Sequence, residues 1–227
     1  MTNKNGTQFT VSAIFLTLTA VYVTCLLLSN LIAGKICSFF GISLPAAVIL
    51  FPVTYILGDV LTEVYGYKKA KSVIWLGFGC SLFAVIIYMI TIALPGASFF
   101  ENQSAFAAVL GTTPRVALAS FVGYLAGELI NSMVLSRLKV MTNGKLLWVR
   151  TIASTVIGEF IDSFIFISIS FFGTMSNSAL FKMILFQYLF KTVYEIVFTP
   201  ATYAVVRWIK KKESVDTYDD NIKYTVI

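Results

Sequence analysis

The sequence contains no histidine, and only 12% of its 227 residues are charged. Without histidine, the chain cannot form a Ser-His-Asp triad, a histidine-based zinc site or an imidazole proton shuttle. It also lacks a Gly-x-Ser-x-Gly motif and a phosphate-binding loop. We therefore predict that the protein is not an enzyme, with no catalytic residues, no metal site and no cofactor.

Polar residues are too few to cover a soluble fold, because 58% of the chain is hydrophobic and its mean hydropathy is +0.84. Apolar stretches of the length that crosses a bilayer, about 20 residues, recur along the chain. They cover residues 11–33, 44–65, 72–94, 116–135, 151–172 and 183–206. We predict an all-α membrane protein, a bundle of six transmembrane helices. Residues 1–212 would form a single transmembrane domain, followed by a disordered cytoplasmic tail at 213–227.

Basic residues favour one side of this predicted bundle. If the N-terminus is cytoplasmic, the cytoplasmic segments hold thirteen Lys and Arg residues and the outer segments hold three, with Lys191 inside the last span. Because basic loops resist translocation, both termini are predicted to be cytoplasmic. This bias also accounts for the net charge of +6, so no nucleic-acid partner is expected. The longest outer loop, 95–114, could carry a short surface helix, as a lid or as a simple connection.

Acidic residues inside the apolar spans are the strongest functional signal. An Asp at the centre of a membrane helix costs about 2.5–3.5 kcal/mol, so such groups should face the protein interior or a water-filled cavity. We expect Glu63 to pair with Lys68 and Lys69, and Lys191 to pair with Glu195 one helical turn away. Six acids lie in or at the edge of the spans: Asp59, Glu63, Glu128, Glu159, Asp162 and Glu195.

Helical spacing groups the polar residues of the last three spans into one stripe on each helix. Such stripes either line a solute pathway or bind the helices together through polar contacts. Lys191 cannot neutralise the other acids alone, so either some carboxyls are protonated or a donor-rich or cationic solute completes the site. Several aromatic residues flank the stripes and could stack on a flat heterocycle: Phe51, Tyr55, Tyr124, Phe160, Phe164 and Tyr188.

Two similar hexapeptides, GELINS at 127–132 and GEFIDS at 158–163, occur at about the same depth and can face each other. Gly123 and Gly127 form a small-xxx-small pattern that suits close helix contact, within the bundle or in a homodimer. Pro52 and Pro200 remove backbone donors, so they can interrupt a helix beside a cavity or produce a kink without function.

These motifs, together with SNLIAGK at 29–35, FPVTYILGDVLTEVYG at 51–66 and KTVYEIVFTP at 191–200, resemble the queuosine precursor transporter family, also called the VUT family. The resemblance covers nearly the whole chain. It implies a multi-pass protein of the bacterial inner membrane that imports 7-deazaguanine precursors of queuosine such as preQ0 and preQ1. On this basis, a 7-deazapurine base is the expected substrate, and lipid is the other partner.

A 7-deazaguanine presents two adjacent donors that a carboxylate can accept and one acceptor that Lys191 or an amide can meet. The substrate-binding residues predicted from the motifs and stripes are Asn30, Asp59, Tyr124, Glu128, Asn131, Glu159, Asp162, Gln187 and Lys191.

Two other functional classes remain open from the sequence. A substrate-binding membrane subunit that works with separate ATPase partners would have the same composition and no motor of its own. An aspartyl intramembrane protease could use Asp59 and Asp162, although the chain lacks the usual pair of signature motifs.

Overall fold

The computed structural model describes residues 12–33, 35–39, 42–111, 114–173, 176–220, 222 and 224. In this part of the chain, most residues belong to α-helices. The helices are α1 (Ala13–Ile32), α2 (Phe51–Tyr65), α3 (Tyr67–Ala93), α4 (Gln103–Leu110), α5 (Pro114–Met141), α6 (Leu147–Phe171) and α7 (Asn177–Glu213). The short helix α4 lies in the 95–114 loop, where the sequence predicts a surface helix.

A short antiparallel hairpin departs from the predicted all-α fold. Strand β1 (Ile36–Phe39) pairs with β2 (Ile42–Pro45), and a 3-10 turn over Ala46–Ile49 leads into α2. The predicted span at 44–65 therefore begins later as an α-helix. Pro52 occupies the first turn of α2, where a missing N–H leaves no intrahelical bond unmade, so it starts the helix instead of interrupting it. Short apolar runs of this kind are ambiguous between strand and helix by periodicity alone.

Five helical segments in the described chain have the length and hydropathy of membrane spans: Ala13–Ile32, Ala46–Tyr65, Tyr67–Ala93, Leu118–Met141 and Leu147–Phe171. Helix α7 is not among them, although its 37 residues would extend about 55 Å at 1.5 Å per residue. Its central turns carry Gln187, Lys191 and Glu195, which lower its hydropathy. The chain is thus a helical membrane bundle.

The two ends of the described chain meet at one end of this bundle. The Ser12 hydroxyl at the start of α1 donates to Glu213 at the end of α7, and the Tyr65 hydroxyl at the end of α2 donates to the same carboxylate at 2.6 Å. We call this the basic end, because Lys139 of α5 and Arg150 of α6 also lie here. The opposite end, which carries β1 and β2, is the hairpin end.

The segment after α7 packs against the basic end, which corrects the prediction of a disordered tail for its described residues. The Thr217 amide donates to the Val64 carbonyl at 3.1 Å. Asp219 accepts from the Tyr67 amide at 2.8 Å and from the Ser136 hydroxyl at 2.5 Å. The polar segment is ordered because the helix ends beneath it offer donors that match its carboxylates.

Asp216 contributes an ion-pair contact to the same segment, since its carboxylate pairs with Lys139 and with Lys210, the latter at 2.9 Å. Partial burial acts to raise the pKa of Asp216, but the two lysines outweigh it and hold that pKa below its usual value. Its contribution to docking is therefore present above the ordinary aspartate pKa and is lost only in stronger acid.

Helices α5 and α6 pack closely along the two hexapeptides, as the sequence predicts. A Cβ added at Gly127 would lie 2.8 Å from the Gly158 carbonyl oxygen, and one at Gly158 would lie 2.9 Å from the Gly127 carbonyl oxygen. A Cβ at Gly123 would lie 3.0 Å from the Asp162 carbonyl oxygen. The glycine stripe of α5 is therefore occupied by α6 of the same chain.

Replacing Gly127 by alanine tests this contact. The added methyl group would lie 2.6 Å from the Tyr55 hydroxyl and 2.7 Å from the Asp162 Cβ. Gly127→Ala should therefore destabilise the protein by about 1–3 kcal/mol through overpacking. Gly79→Ala on α3 is the matched control, since nothing lies within 4 Å of its added Cβ. Thermal unfolding in detergent should show a lower midpoint for Gly127→Ala alone, and equal midpoints would contradict the close α5–α6 packing.

Candidate functional site

A cavity of about 370 Å³ lies at the hairpin end, between the helices. Its wall includes Ser29 and Asn30 at the end of α1, Phe51 at the start of α2, and residues of the short helix α4. Asp162 of α6 and Lys191 of α7 form its polar side with Gln187. This volume falls in the range of small-molecule binding sites, which are mostly apolar with a few placed polar groups.

The charged groups of the cavity form an ion cluster across two helices. The Lys191 ammonium donates to Asp162 and lies 2.9 Å from the Glu159 carboxylate, and all three side chains are buried. The ammonium also lies 4.5 Å from the centroid of the Phe51 ring. The expected pairing of Lys191 with Glu195 is wrong, because the ammonium binds the acids of α6 instead, and neither oxygen of the Glu195 carboxyl has a hydrogen-bond partner among the described residues.

Amide and hydroxyl groups lie on the α1 side of the same cavity. Asn30 accepts from the Ser120 hydroxyl and donates to the Ser81 hydroxyl, both at 3.3 Å. These are long contacts, which leave the amide free to exchange its partners for those of a bound solute. With Gln187, the cavity therefore presents both donors and acceptors besides its ion cluster.

The other predicted site residues in the described chain lie outside the wall of this cavity. Glu159 reaches it only through Lys191, and the Tyr124 hydroxyl bonds with the Tyr22 hydroxyl. Further towards the basic end, the Asn131 amide donates to Asp59 at 2.7 Å.

Glu128 has the most unusual surroundings of this inner group. It is fully buried, and neither of its carboxylate oxygens has a hydrogen-bond partner among the described residues. Both oxygens of the buried Glu195 carboxyl and one oxygen of Asp59 are in the same condition within the described chain. An unpaired buried charge is costly, so ionisation of these acids costs more free energy than ionisation of Asp162, which is paired with Lys191.

Glu63 forms a second ion cluster, which seals the basic end. Arg150 donates to both of its carboxylate oxygens at 2.6 and 3.2 Å, and Lys210 donates to one of them at 2.7 Å. Glu63 and Arg150 are each only 1% exposed. The expected partners Lys68 and Lys69 are therefore wrong, since the helix end points the carboxylate into the bundle, where α5, α6 and α7 supply the cations.

The aromatic residues divide into two groups. Phe51 lines the cavity, and the buried Tyr55 lies 5.9 Å from the Lys191 ammonium. Phe160 and Phe164 are instead about half exposed on the outside of α6. The prediction that they flank the solute site is therefore wrong. The predicted substrate-binding residues did not include Ser29 and Ser120, although Ser29 begins the SNLIAGK motif and helical spacing places Ser120 on the polar stripe of α5.

The cavity carries groups of the kinds that recognise flat, polar heterocycles. The Asp162 carboxylate can accept from two adjacent donors, while the Lys191 ammonium or an amide meets an acceptor. Phe51 supplies an aromatic face beside the ion cluster.

Comparisons with known proteins find relatives that align with most of this chain. The chain is 27% identical over 186 residues to a protein named "Probable queuosine precursor transporter" from Bacillus subtilis, covering 82% of this chain and 81% of the relative. It is 25% identical over 174 residues to the "Queuosine precursor transporter" of Escherichia coli, covering 75% of this chain and 76% of the relative. No solved structure matches it significantly.

A family model described as "Putative vitamin uptake transporter" matches residues 45–205. This match contains α2 to α6 and most of α7, and so it includes both ion clusters apart from Lys210 and Asp216. The match also covers well over half of the sequence. The chain therefore belongs to this family of vitamin uptake transporters and is a multi-pass protein of the bacterial membrane.

Proposed function

We propose that this protein imports 7-deazaguanine precursors of queuosine across the bacterial inner membrane. The observation that carries the proposal is the buried Lys191–Asp162 pair on the wall of a cavity that suits a single base. The names of the relatives point to the same substrate class. Membership of a transporter family favours uptake over catalysis.

The proposed topology has six spans, with α7 as the sixth. Its charged residues Lys191 and Glu195 are buried in the bundle, whereas Phe181, Val193 and Val197 on its other faces are strongly exposed. This distribution suits a helix with lipid on one side and a polar interior on the other. Because basic residues gather where α1 begins and α7 ends, we assign the basic end to the cytoplasm.

With this orientation, the cavity lies on the outer side and the Glu63 cluster lies on the inner side. The buried Glu63–Arg150 pair, its lysine partners and the C-terminal segment close the inner side. We therefore interpret this conformation as one that receives solute from outside. Release would require the contacts around Glu63 to open.

In the proposed binding mode, the base lies against Phe51 with its two adjacent donors on Asp162. Lys191 or the Gln187 amide meets its carbonyl oxygen, and Asn30 fixes the opposite edge. A precursor with an aminomethyl group would bring a cation of its own, for which Glu159 is the nearest second acid because it shares Lys191 with Asp162.

A substrate-binding subunit for separate ATPase partners is the second candidate. The occupied cavity would look the same in that case, so the two functions differ in what the chain does alone. Uptake by proteoliposomes that contain only this chain would support the transporter, whereas binding without uptake would support the subunit.

The topology is tested by reporter fusions at Lys71, Lys145 and the C-terminus. All three should report a cytoplasmic location, because each position lies at the basic end or beyond it. Fusions after Gly96 and Gly173, in the connections at the hairpin end, should report the outer side. An outer signal at the C-terminus together with an outer signal after Gly173 would remove α7 from the set of spans.

Asp162→Asn tests the binding mode. The amide keeps the shape of the carboxylate but loses a charge-assisted hydrogen bond worth about 1.5–3 kcal/mol. The affinity for preQ0, measured by calorimetry on purified protein, should fall by about tenfold to a hundredfold. Asp220→Asn is the matched control, because Asp220 is exposed beyond the basic end. Equal affinities for wild type and Asp162→Asn would exclude the proposed contact.

Lys191→Met removes the other half of the pair and should weaken binding to a similar degree, about tenfold or more. It also leaves Asp162 and Glu159 without their cation, so the thermal midpoint should fall as well. Lys182→Met, at an exposed position near the start of the same helix, should change neither quantity. Normal affinity in a folded Lys191→Met protein would remove Lys191 from the site.

A further inference from the structure

We infer that Glu128 carries a proton that moves inward together with the solute, so that a proton gradient drives uptake. The inference rests on the proposed function and adds its energy source. It starts from a carboxyl group behind the binding cavity that is fully buried and has no hydrogen-bond partner among the described residues.

The Glu128 carboxyl is fully buried against neighbouring helices. Its carboxyl group packs directly against Gly58 of α2, so closely that a Cβ at that glycine would overlap Oε1. Tyr22 of α1 and Tyr124 of its own helix lie beside it, and their hydroxyls bond with each other. Both tyrosines are neutral, so α1 and α5 bring no charge to the carboxyl.

The charged groups that face Glu128 from the other helices are acids. They are Asp59 of α2, Glu159 and Asp162 of α6, and Glu195 of α7. The Lys191 ammonium is already bound by Asp162 and Glu159. An ionised Glu128 would thus add an unpaired negative charge to an acidic, dry region, so the carboxyl holds a proton in this conformation.

Coupling to the solute follows from this electrostatic neighbourhood. A proton on Glu128 removes a negative charge near Asp162, which makes it easier for Asp162 to remain the ionised acceptor of the solute. Protonation of Glu128 therefore raises the affinity for the solute, and by thermodynamic linkage bound solute raises the affinity of Glu128 for the proton by the same factor.

Release is coupled to the opening of the inner side. Glu128 lies at the contact between α2 and α5, the same contact that holds the Asp59–Asn131 hydrogen bond. Separation of these helices would admit water to the carboxyl and permit it to ionise. Asp59, which interacts with both Glu128 and the Glu63–Arg150 pair, is the next acceptor towards the cytoplasm.

Proteoliposomes of the full-length chain, with the membrane potential clamped, test the inference. An inward gradient of one pH unit should concentrate labelled preQ0 about tenfold if one proton accompanies each solute. A protonophore should abolish that accumulation, and a trapped pH dye should report internal acidification when preQ0 is added. The inference is overturned if the accumulation of preQ0 does not depend on the proton gradient, or if it depends on a sodium gradient instead.

Glu128→Gln identifies the residue. The variant should still bind preQ0 and exchange labelled for unlabelled solute across the membrane, but the proton gradient should no longer drive accumulation. Glu101→Gln, an exposed acid before α4, is the matched control and should respond as wild type does. If Glu128→Gln keeps the wild-type response to the gradient, Glu128 is not the proton carrier.

A third variant guards against misfolding. Glu128→Asp keeps the acid and shortens its side chain, so it should shift the pH profile of uptake, and an unchanged profile overturns the assignment. Separate binding measurements distinguish failure of the proposed function from failure of the coupling. A wild-type protein that binds no 7-deazaguanine overturns the proposed function, whereas one that binds preQ0 without proton-driven accumulation overturns the coupling alone.

Discussion

The arrangement of this bundle depends on one constraint, which is that buried acids outnumber the cations that can reach them. Lys191 lies between Asp162 and Glu159 and so neutralises the cavity side of α6 and α7. Glu63 instead takes cations from three helices at the basic end. The acids between these two clusters have no such partners within the described chain, and the bundle must accommodate them as neutral groups or through water.

In the proposed function, the two ion clusters divide the transport pathway into an outer and an inner part. A solute in the cavity would contact the Lys191 cluster. It would weaken the Lys191–Asp162 ion pair, because the Asp162 carboxylate would then accept hydrogen bonds from both the solute and Lys191. The Glu63 cluster is more strongly built, since the bidentate Arg150 contact is completely buried. An inner gate of this kind opens only when several contacts are exchanged together, which favours two distinct states over a continuous pore.

Much of this architecture follows from the sequence. Apolar length predicts the five long apolar helices of the described chain, and the repeated Gly-Glu hexapeptides predict the contact of α5 with α6. The orientation inferred from the basic residues stays a prediction. The partners of the buried charges could not be predicted from the sequence. Lys191 and Glu63 form their ion pairs with residues on other helices and not with their neighbours in the sequence. Interhelical packing determines such pairs, and helical periodicity contains no information about which helices meet.

The hairpin and the C-terminal segment were missed for a different physical reason. Residues 36–45, ICSFFGISLP, mix apolar residues with serine, glycine and proline over a segment too short for a period to distinguish strand from helix. The C-terminal segment looks disordered because it is polar, yet its order comes from complementary groups at the helix ends, such as the Val64 carbonyl and Lys139.

The candidate site was only partly predicted: Asn30, Asp162, Gln187 and Lys191 lie on the cavity wall, whereas five other candidates lie behind it.

Glycine explains how the three acids among those five, Asp59, Glu128 and Glu159, can be buried so deeply. Gly58, Gly127 and Gly158 each precede an acidic residue, and each lies where another helix comes close. Gly58 makes room for the Glu128 carboxyl, while Gly127 and Gly158 bring the backbones of α5 and α6 together. An acid buried against backbone in this way lacks the bulk solvent that would stabilise its charge. Any movement that separates these helices therefore changes its preferred protonation state, which links the motion of the bundle to the proton.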